Sequence, residues 1–137
     1  MKKNLKLIIY TDGGARGNPG PAGIGVVIFN DKKKLIAEIS EYIGEATNNQ
    51  AEYRALMAAI KKAKELGTEE IRFYLDSQLV VEQLNGNYKV KNKDLQPLFV
   101  RIYNDSLNFK KVTYSYIPRE QNKEADSLAN KAMDKGC

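Results

Sequence analysis

The fold is decided by one stretch of sequence, KLIIYTDGG at residues 6–14. Its first part is mostly β-branched, apolar or aromatic, and Asp12-Gly13-Gly14 follows directly. This composition predicts a β-strand over residues 6–11 that ends in a turn. Asp12 is therefore expected at the carboxyl end of the first strand, where α/β sheets place their ligands.

Two further strands are expected to form an antiparallel meander with the first. Five glycines and two prolines between Gly13 and Gly23 predict a loop. Alternating apolar residues predict the second strand at 24–29 and the third at 35–43. The short polar segment at 30–34 favours a hairpin between them, so strand three should run parallel to strand one.

The rest of the chain alternates helices with strands, which predicts an α/β fold with a mixed sheet. Because 137 residues suffice for a single hydrophobic core, we expect residues 1–137 to form one domain. Apolar spacing and capping residues place helices at 48–66, 77–84, 94–107 and 122–135, and alternation places strands at 71–75 and 112–117.

Composition excludes several kinds of enzyme. The chain has no His, which removes His-based acid–base catalysis, Ser-His-Asp and Cys-His triads, and His-containing zinc sites. The single Cys, Cys137, allows neither an internal disulfide nor a multi-thiolate metal site, which fits a reducing, cytoplasmic location. Any catalysis must therefore use carboxylates, amides, hydroxyls, Lys or Arg.

Charge and hydropathy point to a soluble protein with an anionic partner. Lys and Arg number 22 against 17 Asp and Glu, a net charge of +5. Such an excess suggests a polyanionic partner, although a basic surface that only maintains solubility explains it equally well. No apolar run approaches the ~20 residues of a membrane helix, and no signal peptide is apparent, so we expect no membrane contact.

Four carboxylates from distant segments are expected at one edge of the sheet. Asp12 and Asp76 follow strands one and four, Glu52 lies near the start of the long helix, and Asp126 lies early in the last helix. Helical crossovers make these strands parallel, so their carboxyl ends coincide. Singly, each acid is explained by turn chemistry, helix capping or solvation. Their joint convergence favours a functional site.

The position of Glu52 adds a second argument. Glu52 precedes Leu56 by four residues and Ile60 by eight, so it points along the apolar face of its helix. Clustered carboxylates repel each other and are costly to bury without a compensating cation. A hard divalent cation would offset that cost, and Mg²⁺ prefers oxygen ligands.

Four segments together resemble the type 1 ribonuclease H family. They are YTDGGARGNPGPAG at 10–23, TNNQAE at 47–52, LDSQ at 75–78 and NKEADSLA at 122–129. Each segment is a weak signal alone, but the four in this order and spacing are specific, and the match covers nearly the whole chain. The resemblance implies a ribonuclease H-like fold, a five-stranded mixed sheet in the order 3-2-1-4-5 with helices on both faces.

The resemblance also implies an activity. It predicts an endonuclease that hydrolyses the RNA strand of RNA–DNA hybrids and leaves 5′-phosphate and 3′-hydroxyl ends. It makes Asp12, Glu52, Asp76 and Asp126 the catalytic residues, which hold two Mg²⁺ or Mn²⁺ ions. Two-metal hydrolysis needs no His nucleophile. Asp12 is expected to bridge both ions, because it projects from the central strand.

Substrate contacts are implied by the same resemblance. Amides suit the minor groove of a hybrid, because they both donate and accept hydrogen bonds to sugars and base edges. For any single Asn taken alone, local turn and cap bonding is the better explanation. By this resemblance, the positions at which the family contacts the minor groove of the hybrid are occupied by Asn18, Asn48, Asn49 and Gln78. Thr47 occupies a position near which the family holds a DNA phosphate.

The chain departs from many family members in three ways. The loop at 117–123 lacks a His, in which the chain resembles an archaeal-like branch of the family. Two residues are candidate substitutes: Arg119 could steer a phosphate, and Glu120 could hold a water or a metal. The segment 87–93 is a short replacement for a basic protrusion, so hybrid binding should depend strongly on salt. We also expect no separate hybrid-binding domain.

Other functions remain open at this stage. A non-catalytic hybrid-binding module would keep the fold, but it would not need four acids facing phosphates. A nuclease of this fold that also cleaves double-stranded RNA, or an integrase-like enzyme, would keep the acids. The Asn and Gln set favours a ribonuclease, and we expect it to act as a monomer.

Overall fold

One five-stranded β-sheet organises residues 6–136, the part of the chain that the computed structural model describes. Cys137, for which the sequence predicts neither an internal disulfide nor a multi-thiolate metal site, lies outside the described residues. The strands are β1 (Lys6–Ala15), β2 (Gly20–Asn30), β3 (Leu35–Ala46), β4 (Glu70–Leu75) and β5 (Lys111–Tyr116). The helices are α1 (Asn48–Glu65), α2 (Gln78–Leu84), α3 (Gln96–Ser106) and α4 (Lys123–Lys135), with a 3-10 turn at Arg119–Gln121.

The sheet has the order β3-β2-β1-β4-β5, as predicted. β2 is antiparallel to both β1 and β3, whereas β4 is parallel to both β1 and β5. The hairpin and the helical crossover therefore bring the carboxyl ends of β1, β3 and β4 to the same edge. Between residues 6 and 136, no helix is both long and apolar enough to cross a membrane.

The predicted loop at residues 13–23 is wrong over most of its length. β1 continues to Ala15 and β2 already begins at Gly20, with Gly13 paired to Ile24 and Gly14 to Gly23. Only residues 16–19 turn the chain, and there Gly17 adopts a φ of +96°, which favours glycine. Gly13 and Gly23 lie in strands, and a helix packs closely against each of them. Elsewhere, α3 begins at Gln96, two residues later than predicted.

Helix α1 covers one face of the sheet and builds the main core. Its apolar stripe, including Tyr53, Leu56 and Ile60, packs on Leu7 and Ile9 of β1. The same stripe begins with Glu52, as the spacing predicts. A Cβ on Gly13 would collide with the backbone of Ala51, so the glycine lets α1 approach β1 closely.

Helix α4 covers the opposite face, again over glycines. A Cβ on Gly25 would collide with the carbonyl oxygen of Ala125, and one on Gly23 would lie 2.7 Å from that of Ala129. Gly25 is the cross-strand partner of Asp12. Close packing at Gly25 therefore brings the start of α4, and with it Asp126, to Asp12.

We expect Gly25→Ala to destabilise the protein by about 1–3 kcal/mol, because the added methyl overpacks the contact with α4. Gly14→Ala is the matched control, since its Cβ would meet only the Met133 Cε atom at 3.6 Å and the Asn48 Oδ1 atom at 3.9 Å. Thermal unfolding of both variants measures the effect. Equal melting temperatures for the two variants would contradict the close approach of α4.

Candidate active site

Asp12 and Glu52 are brought together by the contact between β1 and α1. Both side chains are buried, with exposed fractions of 6% and 7%. The Gly13 N–H donates a hydrogen bond to Glu52 Oε1 over 3.3 Å. Thr47 and Gln50 form the capping box of α1, so Glu52 is not needed as a cap. The carboxylate of Glu52 is therefore held against the strand that carries Asp12.

Asp76 reaches the same place from the end of β4. It directly follows Leu75, the last residue of that strand. The N-cap of α2 is Ser77, whose hydroxyl oxygen accepts the Val80 N–H, so Asp76 does not serve as the cap. Oxygen atoms of Asp12, Glu52 and Asp76 lie within 4.8 Å of one another.

Asp126 completes the cluster from α4. It lies outside the group of three acids whose oxygens approach within 4.8 Å, but it is near enough to Asp12 to help raise the pKa of that residue. All four acids line one open cavity of about 530 Å³. The expected convergence of four carboxylates at one edge of the sheet is thus present, while their roles as ligands and catalysts remain predictions.

Burial and mutual repulsion make this cluster unfavourable when it is fully ionised. Burial, and then the charges of Glu52, Asp76 and Asp126, raise the pKa of Asp12 to about 9. Burial and the charge of Asp76 raise the pKa of Glu52 to about 7, against the opposing effect of the Gly13 N–H. Near neutral pH the metal-free cluster therefore retains protons.

The cluster fits a divalent cation. It offers several carboxylate oxygens at short mutual distances, the ligand type that Mg²⁺ and Mn²⁺ prefer. The four ion pairs found within residues 6–136 involve none of these acids. A bound cation would supply the missing positive charge.

Only three of the six predicted substrate-binding residues line the cavity that holds the acids. Asn48, Asn49 and Arg119 line the same cavity, whereas Glu120 lines a second cavity together with Tyr10 and Phe29. Of the two candidates predicted from the loop at 117–123, only Arg119 therefore lines the cavity that holds the acids. The other three predicted substrate residues do not line the cavity that holds the acids. They are Asn18 in the turn after β1, Thr47 at the N-cap of α1, and Gln78 at the start of α2.

Two of the predicted amides are held in one orientation by the backbone. Asn48 Oδ1 accepts the Ala15 N–H over 2.8 Å, and Asn18 Oδ1 accepts the Asn48 N–H over 3.0 Å. The local bonding considered from the sequence is therefore real. Among residues 6–136 this bonding uses only the carbonyl oxygens of the two side chains, which leaves both NH₂ groups as donors.

Sequence reasoning missed several residues around the acids. Asn122 donates from its Nδ2 to Asp76, and Asn130 and Arg16 line the cavity. Asn130 follows Asp126 by four residues, so helical spacing alone places it on the same face. Arg16 forms an ion pair with Asp134, a contact that no local pattern indicates.

Comparisons with known proteins agree with this geometry. The family model described as "Reverse transcriptase-like" matches residues 10–132. Among solved structures, RNase H1 from Halobacterium salinarum superposes with a TM-score of 0.92 at 42% identity, covering 94% of this chain and 98% of that one. LC11-RNase H1, from compost, in complex with RNA/DNA hybrid gives 0.90 at 47% identity, covering 94% and 97%.

One similar protein is much longer than this chain. A bifunctional protein of Mycobacterium tuberculosis is 47% identical over 131 residues, which is 95% of this chain. The chain spans only 36% of the length of this relative and its mycobacterial counterparts.

We expect metal-free Asp12→Asn to melt above the wild type, by about 3–6 °C near pH 8. A carboxyl whose folded pKa is raised adds stability at low pH and loses it between its unfolded and folded pKa values, here from 3.8 to about 9. The difference in melting temperature should therefore grow from about pH 5 to about pH 9. Differential scanning calorimetry in chelator measures it.

Asp31→Asn is the control, because it removes the same charge from the exposed hairpin turn. A constant difference between Asp12→Asn and wild type across this pH range would contradict the repulsion described for the cluster.

Proposed function

Because this chain belongs to the type 1 ribonuclease H family, we propose that it is a metal-dependent endonuclease that hydrolyses the RNA strand of RNA–DNA hybrids. The products would carry 5′-phosphate and 3′-hydroxyl ends. The observation that supports this proposal most directly is the cluster of Asp12, Glu52 and Asp76, whose oxygens lie within 4.8 Å of one another. Asp126 lies beside Asp12 in the same cavity. The complex of LC11-RNase H1 with RNA/DNA hybrid supports this choice of substrate.

We assign the four carboxylates to metal binding. Asp12 has the central position, since it faces Glu52, Asp76 and Asp126 at once, and would bridge two ions. The chemistry supplied by two bound Mg²⁺ or Mn²⁺ ions is activation of the attacking water and stabilisation of the leaving 3′ oxygen. The protein's part is to hold the carboxylates at fixed positions and to present the RNA strand to them.

The fixed amides would read the minor groove of the hybrid. Because Asn18 and Asn48 present only NH₂ donors, they suit the acceptor atoms that every base pair offers in that groove, N3 of purines and O2 of pyrimidines. Such contacts detect the shape of the groove without selecting a base sequence, which suits an enzyme that acts on hybrids of any sequence. Asn49 and Gln78 would add contacts to sugars, whose 2′-hydroxyls distinguish RNA from DNA.

Backbone contacts would come from Thr47 and Arg119. The Thr47 hydroxyl oxygen accepts the Gln50 N–H, which leaves its proton free to donate to a DNA phosphate. Arg119 is exposed beside the acids and would steer an RNA phosphate in place of the absent His. We propose that the enzyme acts as a monomer, and cleavage of double-stranded RNA is a further activity to be tested.

We expect the wild type to cut the RNA strand of a labelled hybrid only with Mg²⁺ or Mn²⁺. Asp12→Asn should lower the rate by about a thousandfold or more, because loss of the bridging carboxylate removes both ion contacts. Gel analysis of hybrid, DNA duplex and RNA duplex, each with metal and with chelator, measures it. Hybrid binding without metal-dependent cutting would assign the chain to the non-catalytic alternative.

A single substitution tests whether the NH₂ group of Asn48 contacts the hybrid. Asn48→Asp keeps an oxygen for the Ala15 N–H but replaces the NH₂ donor with an anionic oxygen. We expect hybrid affinity to fall about tenfold or more, since a lost donor and a new like charge each oppose binding.

Asn30→Asp is the matched control for this change. Asn30 Oδ1 also accepts backbone N–H groups, from Lys32 and Lys34, but the residue lies in the hairpin opposite the start of β1. Fluorescence anisotropy in chelator compares the two variants. Equal hybrid affinities would show that Asn48 does not contact the substrate through its amide.

A further inference from the structure

One buried side chain outside the acidic cluster contacts two of the segments that form it. Asn122 precedes α4 and is only 1% exposed. Its Nδ2 group donates to Asp76 Oδ2 over 3.0 Å and to the Thr11 carbonyl oxygen over 2.9 Å. The first bond reaches a site carboxylate, and the second reaches the residue next to Asp12.

The backbone of Asn122 supports a third acid. Its carbonyl oxygen accepts the Asp126 N–H over 3.1 Å, in the first turn of α4. Asn is a preferred N-cap residue, yet its side chain makes no capping bond to α4 here. The amide is instead committed to Asp76 and β1.

The buried amide is incompletely satisfied. Within the described part of the chain, Asn122 Oδ1 has no hydrogen-bond partner. A buried acceptor without a donor destabilises the folded state, so this side chain is a poor choice for stability alone. Its NH₂ group, in contrast, makes two well-formed bonds at the site. The benefit of Asn122 is therefore concentrated at Asp76 and at Thr11 of β1.

We propose that Asn122 is a positioning residue that fixes the carboxylate of Asp76 for divalent-cation binding. By donating to Oδ2 of Asp76, it holds that carboxylate at one position beside Asp12 and Glu52. The inference rests on the proposed metal-dependent function and adds a residue that supports the acids without touching substrate. Partners that orient carboxylate ligands commonly change metal affinity or activity by about 10–100-fold when they are removed.

The test is Asn122→Leu, which fills similar space but has no donor. Calorimetric titration with Mn²⁺ alone should give a dissociation constant about 10–100-fold higher than wild type. The Mn²⁺ concentration for half-maximal hydrolysis should rise in parallel, kcat should recover at saturating Mn²⁺, and KM for hybrid should change less than about twofold. Asn85→Leu is the control, because it removes a similar bond, from Asn85 Nδ2 to the Tyr114 carbonyl oxygen, away from the site.

The outcomes separate this inference from the proposed function. Wild type that neither takes up Mn²⁺ nor cuts hybrid would contradict the function itself. Wild type that does both, with Asn122→Leu unchanged in Mn²⁺ affinity, would contradict only the role of Asn122. If Asn122→Leu does not fold, Asn122→Ala is measured in the same way. Failure of both variants to fold would assign the residue to stability and overturn the proposal.

Discussion

Repulsion among buried carboxylates is the constraint on which the rest of this structure depends. Asp12 and Glu52 are nearly inaccessible to water and face Asp76 and Asp126, so full ionisation is unfavourable. A fold that only needed stability would avoid such a cluster. A divalent cation bound there, as proposed, would reverse the sign of the interaction and make the same closeness favourable.

Close packing over glycine is what enforces this closeness. Gly13 lets α1 approach β1, which holds Glu52 against the strand, and Gly25 lets α4 approach β2 opposite Asp12. The two helices lie on opposite faces of the sheet, and each brings one acid to its edge. The site is thus a consequence of rigid contacts between backbones, which suits a reaction that requires carboxylates at fixed positions.

Much of this could be predicted from the sequence. Period-2 alternation and turn residues gave the meander, and helical spacing placed Glu52 on the buried face of α1. The loop over Gly13 was wrong because glycine serves both turns and close packing, and the packing partner, Ala51, is distant in sequence. Asn122 was missed for a similar reason, since an Asn before a helix indicates a cap and its actual partner, Asp76, is set by tertiary structure.

The central claim is that these carboxylates accept divalent cations in exchange for protons. Because burial and repulsion keep protons on Asp12 and Glu52 near neutral pH, cation uptake should release them. Calorimetric titration of Mg²⁺ at pH 7 in buffers of different ionisation enthalpy counts the protons directly. The account predicts the release of about one to two protons as the site fills. Absence of Mg²⁺ uptake, or uptake with no proton release, would contradict it.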